Sequence, residues 1–217
     1  MFTGLIQCVG KVNLFTPRGS EATLSIASGY TTFEHGESIA INGTCLSVSS
    51  FKGNTFTVFA SAETLRISGI GRLRPGASVN LEKALTLSTP LGGHLVTGHV
   101  DTRVRLLERI GETEAARFRF ELPESGTLRH QIASKGSVAI DGVSLTVNQV
   151  TDTFFEVMII PVTLQHTTLQ TLEVGMPVNL ETDILAKYVS RRLEGGDTSH
   201  RNDGISMEML MQNGFMR

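Results

Sequence analysis

The chain carries one segment twice, as Ile41-Asn42-Gly43-Thr44-Cys45-Leu46-Ser47-Val48 and, 99 positions later, as Ile140-Asp141-Gly142-Val143-Ser144-Leu145-Thr146-Val147. The match extends without a gap from Ser38–Glu82 over Ser137–Glu181, where 16 of 45 positions are identical. Chance would give about 3 identities over that length. A repeat this long in only two copies indicates a duplicated domain rather than a solenoid.

A second match marks where each copy begins. Phe2-Thr3-Gly4-Leu5-Ile6 resembles Val96-Thr97-Gly98-His99-Val100, at a spacing of 94 positions. We therefore predict three parts: a first domain over residues 1–91, a second over 92–183, and a C-terminal tail over 184–217. The alternative is a tandem duplication that was kept only for stability.

Within each copy the pattern is typical of short β-strands. Apolar and polar residues alternate with period two, and Gly-Asn, Asn-Gly and Pro-Gly pairs mark the turns. Strands at this spacing favour a small closed barrel, which leaves no exposed strand edge. The predicted strands lie within 38–41, 46–48, 56–59, 138–140, 144–147 and 154–160, and short helical turns are predicted at 64–66 and 163–169.

The tail has a different period. Leu185, Tyr188, Val189 and Arg192 follow one another at helical spacing, so the segment 184–193 is predicted to be an α-helix. Gly195-Gly196-Asp197 is expected to end that helix, and residues 205–216 could form a second, Met-rich helix.

Composition excludes several classes of protein. The 217 residues include 19 basic and 21 acidic side chains, a net charge of −2 that lacks the basic surplus of a nucleic-acid binder. No apolar run approaches the roughly 18–20 residues that cross a bilayer, and the first residues do not read as a secretory signal. The two cysteines, Cys8 and Cys45, suit a reducing compartment, so we expect a cytoplasmic protein.

The polar positions that differ between the copies are the candidates for chemistry, because folding alone does not require a difference. Any single difference could be neutral drift, and a lone thiol such as Cys45 is commonly just a small apolar group. Several differences at corresponding places instead indicate two grooves of one shape with unequal reactive groups. The pairs are Cys45 and Ser144, Ser47 and Thr146, Ala84 and Asp183, Leu5 and His99, and Glu63 and Val162.

Other motifs point away from metals and nucleotides. The segment Gly92-Gly93-His94-Leu95-Val96-Thr97-Gly98-His99 holds two histidines without cysteines or carboxylates at ligand spacing, so we predict no metal site. The sequence has no P-loop, no dinucleotide fingerprint and no nucleophile elbow. Its chemistry must come from hydroxyls, a thiol, imidazoles and carboxylates.

These residues together resemble the α-chain type riboflavin synthase family. The likeness runs from residue 1 to about residue 193, and the tail Glu194–Arg217 matches no motif of the family. Motifs occur in the same order in both halves. They are Met1-Phe2-Thr3-Gly4, Asn42–Val48, Glu63-Thr64-Leu65-Arg66, Gly92–Val100, Ile140–Val147 and Pro161-Val162-Thr163-Leu164.

The resemblance implies an all-β fold of two tandem six-stranded Greek-key barrels with a C-terminal α-helix that assembles a homotrimer. It also implies the reaction, in which two molecules of 6,7-dimethyl-8-ribityllumazine exchange a four-carbon unit. One becomes riboflavin and the other 5-amino-6-(D-ribitylamino)uracil, and no metal or redox cofactor takes part. The two substrates are expected to stack antiparallel between the first barrel of one chain and the second barrel of its neighbour.

Carried over by position, the resemblance implies two substrate-binding sets. The first barrel's pocket would involve Gly4, Leu5, Ile6, Cys45, Leu46, Ser47, Phe59, Ala60, Ser61, Ala62, Glu63 and Thr64. The second would involve Gly98, His99, Val100, Lys135, Ser144, Leu145, Thr146, Met158, Ile159, Ile160, Pro161, Val162 and Thr163.

We expect His99, Ser144 and Asp183 to handle protons, with Cys45 and Ser47 near the acceptor carbon. Which group is the base and which the nucleophile stays open. Phe2 either packs beside the substrate ring or belongs to the core.

One departure from the family lies in the second pocket. Val162 replaces an acid that some relatives have, while Ser144 and Asp183 are retained. Two other functions compete with the enzyme: a non-catalytic lumazine- or flavin-binding protein of the same fold, and a barrel pair that serves only as an interaction scaffold.

Overall fold

The computed structural model describes residues 1–111 and 115–195, together with residues 211 and 213. Within these residues the chain folds into two closed antiparallel barrels. The strands of the first are β1 Cys8–Arg18, β2 Glu21–Ala27, β3 Ser38–Ile41, β4 Thr44–Lys52, β5 Thr55–Ala60 and β6 Ser78–Lys83. Those of the second are β7 Thr102–Gly111, β8 Ala116–Glu121, β9 Ser137–Ile140, β10 Val143–Val150, β11 Phe154–Ile159 and β12 Pro177–Thr182.

Both barrels have one topology. The strand order around the first is β1-β2-β5-β4-β3-β6, and the second repeats it as β7-β8-β11-β10-β9-β12. Strands β3, β4 and β5 follow one another as hairpins and β6 returns to pair with β3, which is a Greek key. The predicted all-β fold of two tandem six-stranded Greek-key barrels is confirmed.

The cores follow from strict alternation along the strands. In β2, Ala22, Leu24 and Ile26 are fully buried while their neighbours point outward. In β8, Phe118 and Phe120 fill the second core, and Arg117 and Arg119, which alternate with them, are only half-buried. Each barrel has its own apolar cluster, so each copy of the repeat buries its side chains separately.

Short helices connect the fifth and sixth strand of each barrel. They are α1 Ala62–Ile67 and α3 Pro161–Gln165, followed by 3₁₀ turns at Gly69–Arg72 and Thr168–Thr171. Ser61 begins α1 as its N-cap by accepting the N–H of Thr64. Pro161 begins α3, where the missing N–H costs no hydrogen bond. The helical turns predicted at these places are confirmed, and a further short helix, α2, spans Gly126–His130.

The tail helix, α4 Ile184–Gly195, is also confirmed. Lys187 ties it to the second barrel through an ion pair of 2.7 Å with Asp101. Its apolar stripe faces outward, because Leu185, Tyr188 and Val189 are 63%, 71% and 59% exposed. The predicted second helix over 205–216 lies outside the described residues except for residues 211 and 213. None of the described helices is long and apolar enough to cross a membrane.

The two barrels contact each other through two corresponding hydrogen bonds, in which a side-chain amide of each barrel donates to a backbone carbonyl of the other. Asn80 donates to the carbonyl of Asp141 at 3.0 Å, and Asn179 donates to the carbonyl of Asn42 at 2.7 Å. Asn42 and Asp141 occupy the same turn of the two copies, both with positive φ. Burial raises the pKa of Asp141 to about 7, against the lowering effect of the Asn179 N–H. At this joint between the barrels, the second copy therefore has the carboxyl of Asp141 where the first copy has the amide of Asn42.

Candidate functional site

The first residues of each copy reach across to the other barrel. The carbonyl of Gly4 accepts the N–H of Ser144 at 2.8 Å, and the carbonyl of Gly98 accepts the N–H of Cys45 at 2.9 Å. The N-terminal segment thus lies against the second barrel, and its repeat lies against the first. The two barrels exchange the segments that precede their first strands.

Buried carboxylates fix both exchanged segments. Glu82 accepts the backbone N–H of Thr3 at 2.6 Å and its hydroxyl at 2.7 Å, and Glu181 makes the same two bonds with Thr97. Burial raises the pKa of both carboxyls, and the hydrogen bonds from the threonines oppose that rise. Each segment is anchored on its own barrel's last strand before it crosses.

The crossing points require glycine. Gly4 has φ 75, and a Cβ there would lie 2.9 Å from the backbone nitrogen of Ser144. Gly98 has φ 80, and its Cβ would lie 3.1 Å from the backbone nitrogen of Cys45. A side chain at either position would combine an unfavourable backbone conformation with a steric clash. The same geometry at both places shows that the exchange is part of the duplicated design.

The second barrel has the larger pocket, a cavity of about 620 Å³. Ser144 lies on its floor, and residues of α3 form one wall. The opposite wall comes from the N-terminal segment. The lining residues are Gly4, Leu5, Ile6, Gln7, Cys8, Val9, Val143, Ser144, Val162, Thr163, Gln165, His166 and Thr167.

The first barrel has the corresponding pocket, with a volume of about 200 Å³. Cys45 takes the place of Ser144, α1 replaces α3, and His99 belongs to the crossing segment. The lining residues are Thr44, Cys45, Glu63, Thr64, Ile67, Ser68, Gly98, His99 and Val100.

The predicted grouping of these residues was therefore wrong in one respect. Gly4, Leu5 and Ile6 belong with Ser144 in the second pocket, whereas the segment 98–100 belongs with Cys45 in the first. The reason is the pair of backbone hydrogen bonds that carries each segment across. His99 accordingly does not form one cluster with Ser144.

A different imidazole lies next to Ser144. Nδ1 of His94 is 2.7 Å from Oγ of Ser144, and the ring is buried. Its Nε2 has no hydrogen-bond partner among the described residues. Burial lowers the pKa of His94, and the charge of Asp183 raises it in part. The second pocket thus has a hydroxyl backed by a neutral imidazole, with a carboxylate close enough to act on it.

Sequence reasoning missed His94 as a site residue because the repeat comparison started at Phe2 over Val96, beyond His94. The signal that could have found it is the pair of glycines before it, which lets the backbone approach closely. Gly93 lies so near Ser144 that a Cβ would be 2.9 Å from its Oγ. A glycine loop that approaches so closely predicts that the next side chain, His94, packs against strand β10, which carries Ser144.

The remaining predicted residues divide by burial. Leu46 and Leu145 belong to the barrel cores, so only their backbone faces outward. Phe2 is fully buried between the exchanged segments and is core. Asp183 begins α4 by accepting the N–H of Leu185 at 2.9 Å. Ser47, Phe59, Ala62, Lys135, Thr146, Ile160 and Pro161 are exposed, Ser61 and Met158 are half-buried, and the side chains of Ala60 and Ile159 point into the cores.

Comparison with known proteins agrees with this architecture. The family model described as the lumazine binding domain matches twice, over residues 3–84 and 97–183. Riboflavin synthase of Photobacterium phosphoreum is 37% identical over 219 residues, covering all of both chains. Those of Mycobacterium tuberculosis and Brucella abortus are 42% and 43% identical, each covering 88% of this chain and 97% of the relative.

Solved structures show the same fold. LumP complexed with 6,7-dimethyl-8-(1'-D-ribityl) lumazine superposes with a TM-score of 0.75 at 22% identity, covering 84% of this chain and 99% of that chain. LumP complexed with riboflavin gives the same TM-score at 23% identity, with the same coverage. On its two domain matches and its full-length relatives, the chain belongs to the riboflavin synthase family.

Proposed function

We propose that this chain is a transferase that converts two molecules of 6,7-dimethyl-8-ribityllumazine into riboflavin and 5-amino-6-(D-ribitylamino)uracil, the last step of riboflavin biosynthesis. One observation carries the proposal: two pockets built on the same backbone hold different reactive groups. A reaction that uses one compound both as donor and as acceptor of a four-carbon unit needs two such places. The relatives named riboflavin synthase support the activity, and the lumazine and riboflavin complexes of LumP support the ligands.

The second pocket is suited to moving protons. The reaction requires removal of a proton from the acidic 7-methyl group of one lumazine. Ser144 can accept that proton while its own hydroxyl proton passes to Nδ1 of His94, 2.7 Å away. Because burial lowers the pKa of His94 and so favours its neutral form, the imidazole can act as a base, and Asp183 would stabilise the imidazolium that forms.

The first pocket is assigned to the other lumazine. Cys45 and His99 line it, and Ser47 follows Cys45 on the same face of β4. These groups would lie by the electrophilic ring carbon that receives the four-carbon unit. Holding the two rings in register contributes several kcal/mol by proximity alone.

We also propose that the chain assembles into a homotrimer, which is supported by the apolar surface that a single chain leaves uncovered. The second pocket has an exposed apolar rim, with Leu5 49% and Val162 55% exposed, and the stripe of α4 is exposed as well. Phe2 and Val96 fill the space between the exchanged segments of one chain. A neighbouring chain would instead place its first pocket opposite this chain's second, and a head-to-tail contact of that kind closes into a ring.

Sedimentation of a chain truncated after Asp183 tests the role of α4. Loss of the trimer supports assembly through the helix, and an intact trimer contradicts it.

We further propose the domain division 1–91, 92–183 and 184–217, and a cytoplasmic location, which the free thiols of Cys8 and Cys45 support.

The activity itself is tested with the purified full-length chain and 6,7-dimethyl-8-ribityllumazine in metal-free buffer. We expect riboflavin to form at one molecule per two lumazines consumed. Ser144→Ala is the matched variant and should bind lumazine but form riboflavin slowly. Binding of lumazine by the unaltered chain without turnover would contradict the proposal and identify a chromophore carrier instead.

A further inference from the structure

A second kind of cavity lies where the barrels meet, beyond the first pocket. It has a volume of about 290 Å³ and is lined by four arginines. Arg66 and Arg72 come from α1 and the 3₁₀ turn of the first barrel, and Arg103 and Arg105 come from β7 of the second. The other lining residues are Ile67, Asp101, Thr102, Glu121 and Pro177.

Two of the four guanidinium groups have no hydrogen-bond or ion-pair partner in the described part of the chain. Arg66 pairs with Glu63, and Arg105 donates to the carbonyl of Gly175 at 3.3 Å. Arg72 and Arg103 make neither a side-chain hydrogen bond nor an ion pair with residues 1–111 or 115–195. Two side chains that can donate five hydrogen bonds each thus line the cavity without being paired to a described residue.

The carboxylates in the wall do not neutralise this charge. Asp101 already binds Lys187 at 2.7 Å and the backbone N–H of Thr182 at 2.8 Å. Glu121 is the other carboxylate in the wall, so the arginines outnumber the carboxylates by four to two. Burial lowers the pKa of Arg103, and the positive charge of Arg72 lowers it further. Like charges held together in this way favour an anion between them.

The duplication supplies an internal control for the arginines. Gln165 and Thr171 stand at the positions of Arg66 and Arg72 in the second copy. Val9 and Lys11 stand at those of Arg103 and Arg105, since Lys11 pairs with Ser78 as Arg105 pairs with Pro177. The same backbone therefore folds with one cation at this place instead of four, so the arginine cluster is not needed for the fold.

We propose that this arginine cavity binds the dianion of a phosphate monoester. Guanidinium forks match phosphate oxygens in pairs, and Arg72 and Arg103 approach from opposite barrels. Ile67 lies in the walls of both this cavity and the first pocket, so the two are adjacent. The phosphate can therefore be free in solution or be carried by a flavin whose ring occupies the first pocket. The site does not depend on the proposed reaction.

The experiment compares two double variants of the full-length chain. Arg72→Gln/Arg103→Gln removes the unpaired arginines, and Lys11→Gln/Arg18→Gln removes the same charge from exposed positions on β1. Binding of inorganic phosphate is measured by calorimetry, and by the rise in Tm relative to chloride at equal ionic strength. We expect the first variant to weaken phosphate binding about tenfold or more for each arginine, with the control unchanged. An equal phosphate response in both variants and the unaltered chain would overturn the proposal.

A second arm identifies the source of the phosphate. Riboflavin and its 5'-phosphate are titrated against the same proteins. Tighter binding of the phosphorylated flavin that disappears in Arg72→Gln/Arg103→Gln assigns the cavity to a flavin phosphate. Equal binding of the two flavins, with the response to inorganic phosphate retained, assigns it to free phosphate. Both double variants are also assayed for riboflavin formation, which stays unchanged if only the anion site is lost, so the two proposals fail separately.

Discussion

The two barrels share their strand order, their glycine crossings and their buried glutamates, yet differ at the floor of the pocket. The first has a thiol, Cys45, beside a crossing segment that carries His99. The second has a hydroxyl, Ser144, backed by the buried imidazole of His94. The difference shows what duplication provides: one scaffold presents two corresponding pockets with unequal reactive groups, as the proposed reaction between a donor and an acceptor of the same compound would require.

Breaking a crossing should have the largest effect. Gly98→Ala adds a Cβ at φ 80 that would lie 3.1 Å from the backbone nitrogen of Cys45. We expect the free energy of unfolding to fall by at least about 3 kcal/mol, from backbone strain and steric clash together. Chemical denaturation measures it. Gly4→Ala should behave alike, and Gly19→Ala controls for positive φ without a clash, since it has nothing within 4 Å. Equal losses at Gly98 and Gly19 would show that the crossing adds nothing.

Removing the proton relay should separate the two pockets kinetically. Ser144→Ala is expected to lower kcat for riboflavin formation by about 10²-fold or more, with a smaller loss for Cys45→Ala at the corresponding position. Activity should also fall in acid as His94 is protonated, below the ordinary pKa of histidine because burial lowers it. His94→Gln should abolish that acid limb. If Cys45→Ala lowered kcat as much as Ser144→Ala, that result would contradict the assignment of proton transfer to the second pocket.

Giving both copies an asparagine at the joint between the barrels, by Asp141→Asn, should stabilise the protein. The pKa of Asp141 is raised to about 7 in the folded state, so the proton is held more tightly there than in the unfolded chain. Its contribution to stability is full below about pH 4 and is lost as the pH rises through 7. Asp141→Asn, which copies Asn42, should raise the free energy of unfolding at pH 8 by on the order of 1–2 kcal/mol.

Denaturation of both proteins across pH checks this sign. The gain from Asp141→Asn should shrink as the pH falls from 8 towards 4, and it should vanish only below the ordinary pKa of aspartate, where the carboxyl is neutral in both states. A gain of constant size from pH 4 to pH 8 would mean that titration of Asp141 is not its cause.

Replacing Val162 with glutamate, which gives the second copy the acid that Glu63 provides in the first, should have the smallest effect. Glu63 pairs with Arg66 in α1, whereas Val162 precedes Gln165 in α3. A carboxylate at exposed Val162→Glu would gain no partner, so we expect KM to change less than about threefold. Val162→Gln is the neutral control. A large gain in kcat from glutamate alone would show that the second pocket lacks an acid it needs.

Much of the fold could be predicted from the sequence, because strand alternation and the 99-residue repeat are local or linear signals. The helix from Ile184 and the short turn around Thr64 follow from spacing in the same way. The exchange could not be predicted, because the bond between Gly4 and Ser144 joins residues far apart in the chain and leaves no periodic trace. His94, the partner of Ser144, was missed because it precedes Val96, where the repeat match begins.

Complementation between damaged pockets tests most directly that the two lumazines lie in unequal pockets of neighbouring chains. Glu63→Trp blocks the first pocket and Val162→Trp the second, at corresponding exposed positions. Each variant alone should be inactive. Co-expressed in equal amounts, they should recover about a quarter of the activity, because one junction in four in a mixed ring has both pockets intact. Activity no higher than that of the separate variants would contradict the account.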